Sequence, residues 1–292
     1  MHFCFSGSEY LRLKTVLLSY PAFRTGKGYS PGAVLHLRKA DPGLMREELR
    51  KITLMYERFG IKVCLIGIKN VPAGGSSLFN LMFTRDLFFI SPRGAVVSRM
   101  ASLVRRGEVR YARKALRELG IPLKPVIRAP GAFEGADALW INPETVAVGV
   151  GGRTNEEGFR QFEKELNTQG IRCLRLPAPK ASLHLLGSLQ IVDKNLALVR
   201  SDSVAPGTSE SLKNNRFRVI KIRDNEEIRE KQAFNFTVIA PRRIIMPAGC
   251  PRTKRIFARC GIRVEGVISV RQLVNAGGGL ACATGILLRS GK

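Results

Sequence analysis

Residues 86–97 read DLFFISPRGAVV: an acidic residue, a short apolar run, a turn signal and a second apolar run. The turn segment Ser91-Pro92-Arg93-Gly94 is typical of a β-hairpin, because proline and glycine favour tight turns between two strands. Turn signals flanked by similar apolar runs recur at residues 142–144, 193–195 and 241–243. The chain therefore predicts a series of β-hairpins.

A second repeated feature is a glycine followed by isoleucine and then a strand-like run. It occurs at Gly60-Ile61, Gly120-Ile121, Gly170-Ile171 and Gly261-Ile262. Glycine suits the left-handed residue just beyond a helix, and the preceding segments (44–59, 105–119 and 157–169) have helical composition. Asn215 stands where another copy is due. The predicted unit is strand, strand, helix, strand, repeated about five times; the first would comprise strands at 15–19 and 33–37, the helix from Leu44 and a strand from Ile61.

Five polar residues follow the same period. They are Asp86, Glu134, His184, Asn235 and Cys282, separated by 48, 50, 51 and 47 residues. A repeat of about fifty residues places one equivalent position in each structural unit, so a ring of five units would bring all five side chains to a common axis. Carboxylates, an imidazole and a thiol meeting at one point indicate an active site.

The repeat also bears on domain organisation. The length of 292 residues would allow two domains, but no linker rich in glycine, serine or proline interrupts the repeat. We therefore expect one catalytic domain over residues 1–292. Residues 201–215 form the irregular stretch, which we expect to be a surface loop or a lid that replaces at least part of the fourth helix.

Targeting and metal-binding signals are weak in this chain. Residues 1–14 lack an apolar core segment, and the longest apolar run, residues 276–288, is too short to span a bilayer. Six cysteines without paired spacing and three histidines give little support to a zinc site. We expect a soluble cytoplasmic protein without a metal or organic cofactor.

The sequence around the recurring residues resembles that of a known enzyme family. Residues 80–86 (NLMFTRD), residues 131–137 (GAFEGAD), His184 and residues 277–284 (GGGLACAT) resemble the guanidino-group-modifying enzymes. That superfamily includes arginine deiminase, dimethylargininase and the amidinotransferases. The resemblance extends from residue 80 to 288. It implies an α/β chain folded as a five-fold pseudo-symmetric β/α propeller, the pentein fold, and a hydrolase that acts on the C–N bonds of guanidino compounds.

The resemblance also implies catalytic roles. Cys282 matches the nucleophile, His184 the general acid and base, and Glu134 and Asp86 the carboxylates that hold the guanidinium. A guanidinium carbon is a poor electrophile, because its charge is delocalised over three nitrogens. Its hydrolysis therefore needs a strong nucleophile and a substrate that is held in a fixed orientation. The expected intermediate is an S-amidino cysteine, which water hydrolyses to a citrulline-type product.

The same matches imply substrate-binding residues. Arg105 and Arg153 resemble arginines that bind the substrate carboxylate, and Asn80 resembles an asparagine that holds the amino-acid end. Arg85 stands next to Asp86 in its motif and is predicted to contact substrate. Asp137 stands where the family has an acidic residue. The favoured interpretation is nevertheless structural: Asp137 would be a turn residue or would accept hydrogen bonds from backbone amides. These residues describe a pocket for a small-molecule α-amino acid with a guanidinium.

One departure bears on substrate choice. Arginine deiminases and some amidinotransferases carry an aspartate two residues after the histidine, whereas this chain has Leu186. An apolar residue there suits methylated guanidinium nitrogens and favours a dimethylargininase-like enzyme. The sequence of residues 84–86 and the presence of Asn80 favour the branch that uses arginine. Arginine deiminase or dihydrolase activity is therefore also possible from the sequence. Amidino transfer to an amine shares the intermediate and is the alternative reaction.

The charge balance suggests a second kind of partner. Lysine and arginine number 48 against 23 acidic residues, a formal charge of +25. Such an excess can attract a polyanion such as nucleic acid. Two groups form plausible patches: Arg216, Arg218, Lys221 and Arg223; and Arg252, Lys254, Arg255 and Arg259. A non-catalytic basic pentein that binds nucleic acid is a further alternative, less favoured because binding alone does not need the acid, base and thiol.

Overall fold

The computed structural model describes residues 7–26, 29–68, 78–125 and 127–290. Its strands are β1 Arg12–Leu18, β2 Lys62–Leu65, β3 Phe88–Ser91, β4 Gly94–Val97, β5 Ala138–Asn142, β6 Thr145–Val150, β7 Arg172–Pro177, β8 Leu189–Asp193, β9 Leu196–Arg200, β10 Arg218–Ile222, β11 Thr237–Ala240, β12 Arg243–Pro247, β13 Arg263–Ile268 and β14 Gly285–Ser290. Its α-helices are α1 Pro42–Arg58, α2 Val109–Glu118, α3 Glu156–Asn167, α4 Thr208–Asn214, α5 Glu226–Glu230, α6 Pro251–Arg259 and α7 Arg271–Asn275.

The strands form five small sheets in this mixed α/β fold. In the sheet of β5, β6 and β7, the first two strands form an antiparallel hairpin, and the third runs parallel to the second after helix α3. The sheets of β8–β10 and β11–β13 repeat this order. The sheet of β3 and β4 has an isolated parallel bridge from Ala95 to Leu123 where a third strand would lie. The predicted order of strand, strand, helix, strand is confirmed in these units.

The first unit differs from the prediction. Strand β1 pairs antiparallel with the C-terminal strand β14 and parallel with β2. It is therefore a middle strand, and its hairpin partner comes from the other end of the chain. The predicted strand at 33–37 is wrong: a 3-10 helix, Gly32–Val34, and a loop occupy this segment. Both edges of β1 are already paired, so no edge of that strand is left for residues 33–37.

The fourth unit also departs from the sequence expectation. Residues 201–215 are not a plain loop, because α4 occupies Thr208–Asn214. Thr208 and Leu212 are buried on the same face of that helix, one turn apart. The helix is short, but it occupies the position that the repeat assigns to the helix of this unit.

Burial differs between the strands of a sheet. Every residue of β3, β4 and β6 is buried, whereas the third strands β7, β10 and β13 are mostly half-exposed or exposed. Helices cover the sheets through apolar faces, as in α3, where Phe159, Phe162 and Leu166 are buried. The hairpins therefore lie inside and the third strands outside. None of the described helices is both long and apolar enough to cross a bilayer.

Candidate active site

The five recurring polar residues line one cavity of about 430 Å³. Each lies just before the first strand of its sheet, and three of them lie in or directly before short 3-10 turns: Thr84–Asp86, Gly135–Asp137 and Leu185–Gly187. Equivalent positions in five similar units therefore point at the same space. The structure brings together Asp86, Glu134, His184, Asn235 and Cys282, as their spacing predicts.

His184 lies between two carboxylates. Its Nε2 is 2.7 Å from Oε2 of Glu134, and its Nδ1 is 3.7 Å from Oδ1 of Asp86. Burial by itself would lower the pKa of His184, but the charge of Asp86, the hydrogen bond to Glu134 and the charge of Asp137 together raise that pKa to about 9. His184 is therefore an imidazolium at neutral pH, the form that can donate a proton.

A set of hydrogen bonds holds the backbone around His184. The carboxylate of Asp137 accepts the amide proton of Leu185 at 3.0 Å and the hydroxyl proton of Thr154 at 2.8 Å. The Ser182 hydroxyl donates to the carbonyl of His184 at 2.8 Å. Asp137 is buried and is not among the residues that line the cavity. We therefore assign it the structural role that the sequence favoured, instead of direct contact with substrate.

Asp86 carries an open acceptor. Its Oδ2 accepts a hydrogen bond from Nη1 of Arg105 at 2.5 Å, whereas its buried Oδ1 has no hydrogen-bond partner among the described residues. Nδ1 of His184 is 3.7 Å from this oxygen, too far for a hydrogen bond, so the oxygen can still accept one. Asp86 lines the cavity. A cationic N–H donor bound there would satisfy this oxygen.

Arg105 differs from its predicted role as a carboxylate-binding residue. Its Nε donates to Oε2 of Glu108 at 2.9 Å, Nη1 binds Asp86, and Nη2 donates to the carbonyls of Asn80 and Phe83 at 3.3 and 3.4 Å. The guanidinium is buried, and these contacts use most of its donors. Arg105 lines the cavity, and these contacts make it a support for the carboxylate of Asp86.

Asn235 contacts the thiol directly. Its Nδ2 donates to Sγ of Cys282 at 3.0 Å, and its Oδ1 accepts the amide protons of Ala281 at 2.7 Å and Cys282 at 3.2 Å. Burial and the charge of Asp86 raise the pKa of Cys282 to about 11, although the hydrogen bond from Asn235 acts in the opposite direction. The Cys282 side chain is thus a neutral thiol at neutral pH, and a nearby positive charge would favour its ionisation.

The glycines before Cys282 allow close packing. A Cβ on Gly278 would lie 2.3 Å from the ring of Phe83, and a Cβ on Gly279 would lie 2.8 Å from the side chain of Asn235. Residues with a side chain would push the loop away from both neighbours. The glycine run thus lets this loop press Cys282 against Asn235.

We expect Asn235→Asp to remove the contact of this side chain with sulfur and to keep its contacts with the backbone amides. Aspartate keeps an oxygen acceptor for the backbone amides but replaces the N–H donor to sulfur with a negative oxygen, so the pKa of Cys282 should rise further. Loss of a hydrogen bond to a charged sulfur costs about 1.5 to 3 kcal/mol, or roughly ten- to hundredfold in kcat/KM. The measurement is the pH dependence of Cys282 alkylation by iodoacetamide; an unchanged profile would show that Asn235 only supports the backbone.

Three further predicted residues line the cavity: Asn80, Arg153 and Leu186. Arg153 is half-buried, and its side chain makes no ion pair or hydrogen bond within the part of the chain that the structure describes. Its charge nevertheless helps lower the pKa of Glu134. Asn80 donates from Nδ2 to the carbonyl of Val34 at 2.8 Å, and so ties the loop at the cavity mouth to the site. Of these three, Arg153 offers a guanidinium free to bind an anion.

Arg85, like Asp137, lies outside the cavity. Its Nη2 donates to Oε1 of buried Glu9 at 2.7 Å, and it does not line the 430 Å³ cavity. Its backbone amide donates to the carbonyl of Cys282 at 3.1 Å. Consecutive residues of the turn point in different directions, so Arg85 and Asp86 cannot share a ligand. Arg85 is therefore structural, and we withdraw the substrate-binding role that its motif indicated.

Comparison with known proteins identifies the family of this chain. The family model of arginine deiminase matches residues 76–246, more than half of the chain. The chain belongs to the arginine deiminase family. The N(G),N(G)-dimethylarginine dimethylaminohydrolase of Pseudomonas aeruginosa is 28% identical over 202 residues, which cover 69% of this chain and 74% of that enzyme.

Two solved structures share the fold of this family member. One is a mutant of the Pseudomonas aeruginosa dimethylarginine dimethylaminohydrolase complexed with citrulline; it has a TM-score of 0.73 and 22% identity and covers 96% of this chain and 100% of that chain. The other is SxtG, an amidinotransferase from Microseira wollei, with a TM-score of 0.75 and 16% identity over 99% of this chain and 98% of that chain. These similarities concern the fold.

Metal binding by this member of the arginine deiminase family would involve three site residues. Ligand atoms of Asp86, Glu134 and His184 all lie within 4.8 Å of one another. His184 already engages Glu134 through Nε2 at 2.7 Å, a contact that orients the ring and supports proton exchange. The arrangement therefore fits a proton-transfer group better than a metal ligand set.

Two functional contacts were not foreseen from the sequence. Asn235 belongs to the recurring set, but its spacing gave no sign that its amide would reach the sulfur. Glu108 accepts from Arg105 and also from the amide of Asn80 at 2.8 Å. The spacing of three residues between Arg105 and Glu108 is a helical pairing signal that could have identified this contact.

Proposed function

We propose that the protein hydrolyses the guanidinium group of L-arginine or of an Nω-methylated arginine through a covalent S-amidino cysteine intermediate, giving a citrulline-type product. The observation that carries the proposal is the buried, open Oδ1 of Asp86 in the cavity that holds the Cys282 thiol and the protonated His184. An N–H-rich cation completes that site. The free guanidinium of Arg153 on the same cavity suits the carboxylate of an amino acid.

Substrate binding changes the charge around sulfur. The site combines two carboxylates with a thiol whose pKa is raised to about 11. A guanidinium held by Asp86 introduces a positive charge beside Cys282 and opposes the effect of that carboxylate on the thiol. The cation thereby promotes loss of the thiol proton to solvent. The nucleophile is thus generated when the substrate is in place.

The chemistry then needs one acid and one base at different times. The Cys282 thiolate attacks the guanidinium carbon and forms a C–S bond in a tetrahedral adduct. The imidazolium of His184 protonates the departing nitrogen as its C–N bond breaks, and the neutral imidazole next removes a proton from attacking water. Collapse of the second adduct releases the ureido product and restores the thiolate. Glu134 holds His184 in orientation throughout this cycle.

The cysteines support a reducing compartment for this reaction. The five described cysteines, which include Cys64, Cys173 and Cys282, all carry free thiols. Proteins in the cytoplasm keep their thiols reduced, whereas secreted proteins tend to form disulfides. Free thiols thus support our proposal of a cytoplasmic location. Cys282 alone of these five lines the catalytic cavity.

Product analysis tests the proposed reaction. Purified protein is incubated with arginine, monomethylarginine, asymmetric dimethylarginine and agmatine, each with and without glycine or lysine as an acceptor. Formation of citrulline with release of ammonia or a methylamine supports hydrolysis. Ornithine together with a new guanidino compound would instead identify an amidinotransferase, and the absence of any turnover across the panel would refute the proposal.

We expect Arg153→Ala and Arg105→Ala to differ in substrate dependence. Loss of the free Arg153 guanidinium removes a charged hydrogen bond to the carboxylate, about 1.5 to 3 kcal/mol, so kcat/KM for arginine should fall roughly ten- to hundredfold. Agmatine has no carboxylate and should be affected far less. Arg105→Ala should impair both substrates, because it removes the support of Asp86. Equal losses for arginine and agmatine in Arg153→Ala would contradict its assignment.

Leu186 provides a test of the methylated-substrate branch. It is buried at 5% exposure and lines the cavity. Leu186→Asp should improve the use of arginine relative to dimethylarginine. The new carboxylate can accept hydrogen bonds from the free N–H groups of arginine. Against the methyl groups of dimethylarginine it would be buried without a partner, at a cost of a few kcal/mol. The ratio of kcat/KM values cancels a general loss of activity. An unchanged or reversed ratio would mean that Leu186 does not face the guanidinium.

A further inference from the structure

The face remote from the catalytic cavity carries a concentrated positive charge. Each first strand starts at the cavity, so the hairpin turns and the starts of the third strands lie at the opposite ends of the sheets. Strands of four to six residues place this face roughly 13 to 20 Å from the catalytic residues. We call one part of it the distal cationic surface, formed by Arg12, Lys194, Arg216, Arg218, Arg242, Arg243, Arg259 and Arg263.

Backbone pairing makes this surface continuous. Arg218 pairs with Leu196 next to the turn that carries Lys194, and its amide donates to the carbonyl of Asn195 at 2.8 Å. Arg243 pairs with Arg263, whose amide donates to the carbonyl of Arg242 at 2.7 Å. Neighbouring strands lie about 4.8 Å apart, so these cations stand side by side.

Two further contacts join the units on this face. The amide of Arg242 donates to the carbonyl of Val192 at 2.8 Å, so the sheets of β8–β10 and β11–β13 are close here. Burial raises the pKa of Cys260, at the end of α6 beside Arg259, and the charge of Arg218 opposes that rise. A groove of about 220 Å³ also opens on this face and is lined by both Arg12 and Arg243. The surface thus extends from α4 and β10 across β12 and β13 to the start of β1.

The charge of the surface is only partly compensated. Asp193 pairs with Arg242, and Glu265 pairs with Arg243 and Arg263. Eight cations with these two carboxylates have a net charge of +6. Lys194, Arg216, Arg218 and Arg259 are exposed, and their side chains make no ion pair among the residues that the structure describes. Such a cluster repels itself unless anions lie against it.

The apolar side chains argue against two classes of polyanion partner. The large exposed apolar residues in the described ranges are Leu37, Leu44, Leu54, Leu65, Leu103, Leu183 and Val267, and none of them belongs to the distal cationic surface. None is aromatic, and the groove on this face is lined by one aromatic side chain, the half-exposed Phe59, so the surface lacks a row of rings for stacking successive unpaired bases. It also presents no apolar side chain of this set for insertion between lipids.

We propose that the distal cationic surface binds the phosphate backbone of a nucleic-acid duplex without sequence preference. A duplex presents a rigid, dense array of phosphates and needs neither base stacking nor apolar insertion for recognition. The arginines that lie side by side on neighbouring strands match such an array. The cavity opens at the other ends of the strands, so the bound duplex leaves it accessible.

Fluorescence anisotropy with labelled 30-base-pair DNA and RNA duplexes of random sequence tests this inference. Wild-type protein should bind at 50 mM salt and weaken steeply by 200 mM, since each neutralised phosphate releases counterions. The variant Lys194→Gln/Arg216→Gln/Arg218→Gln/Arg259→Gln breaks no ion pair among the described residues. It should lower affinity at least tenfold and reduce the log–log salt slope by up to about one for each lost contact.

A matched control variant carries the same change of charge elsewhere. Arg38→Gln/Lys39→Gln/Lys51→Gln/Lys180→Gln replaces four exposed cations outside this surface and should retain most of the binding. Equal loss in both variants would mean that total charge alone attracts nucleic acid and would overturn the proposal. No duplex binding at 50 mM salt, or binding only to vesicles with 30% phosphatidylserine, would overturn it as well. Guanidinium hydrolysis by the first variant should match wild type, so failure of this proposal is separable from failure of the proposed reaction.

Discussion

Cys282→Ser is expected to lower turnover of every guanidino substrate by roughly 10⁴- to 10⁶-fold, the range expected when a covalent nucleophile is lost. A serine hydroxyl is a far weaker nucleophile, and the two carboxylates near this position oppose its ionisation further. The side chains differ little in volume, and position 282 already has an Asn235 donor at 3.0 Å, so the fold should be preserved. The measurement is product formation together with the thermal unfolding midpoint.

Two comparisons sharpen this result. Cys64→Ser changes a half-buried thiol outside the cavity and should keep wild-type turnover. Mass spectrometry of wild-type protein quenched during turnover should find an amidino adduct on the peptide that contains Cys282, and none in Cys282→Ser. Appreciable turnover by the serine variant would remove Cys282 from the mechanism.

His184→Gln is expected to lower kcat by roughly 10² to 10⁴-fold, the usual contribution of a positioned acid and base. The pKa of His184 is raised to about 9, so the wild-type ring is protonated at neutral pH and loses its proton as the pH rises through that value. The rate of the step that needs the protonated ring should therefore fall above about pH 9 in the wild-type enzyme. The variant should lack this dependence, which a pH profile of single-turnover rates would detect.

The leaving group offers a further readout for His184. A thiocitrulline-type substrate, S-methyl-thiocitrulline, releases a thiol, which leaves without prior protonation. His184→Gln should therefore still form the covalent adduct from this substrate but hydrolyse it slowly, because the base for water is missing. Equal loss of adduct formation from arginine and from the thiol-releasing substrate would contradict the role of His184 as acid.

The same pKa shift links His184 to stability. A histidine whose pKa is higher in the folded than in the unfolded state stabilises the fold when it is protonated. This stabilisation is complete at pH values below the pKa of the unfolded state, near 6.5. That contribution is lost as the pH rises through about 9. Denaturation of wild type and His184→Gln across pH 6 to 10 should therefore converge at alkaline pH.

Much of the fold was readable from the sequence because its signals are local. The proline and glycine turns predict the hairpins, and the glycines at 60, 120, 170 and 261 do end helices with positive φ values. The period of about fifty residues reflects the length of one structural unit. The convergence of Asp86, Glu134, His184, Asn235 and Cys282 then follows, since equivalent positions in similar units face the same cavity.

The errors arose where the partner lies far away in the chain. Residues 33–37 have a strand-like composition, but β14 already occupies the edge of β1 that they would need. Whether an edge is free depends on a pairing between the two ends of the chain. Local composition carries no information about such a pairing, because strand propensity depends on the neighbours that a strand finds.

The sequence by itself determined the repeating unit, the five polar positions and the excess of positive charge, because periodicity and residue type are properties of the chain. Only the tertiary structure decided what each charge does. Arg85 faces Glu9, 76 residues away, and not the cavity; Arg105 supports Asp86; and Arg153 stays free for a ligand. The three guanidinium groups are chemically identical, so their roles depend on which carboxylates folding brings within hydrogen-bonding distance.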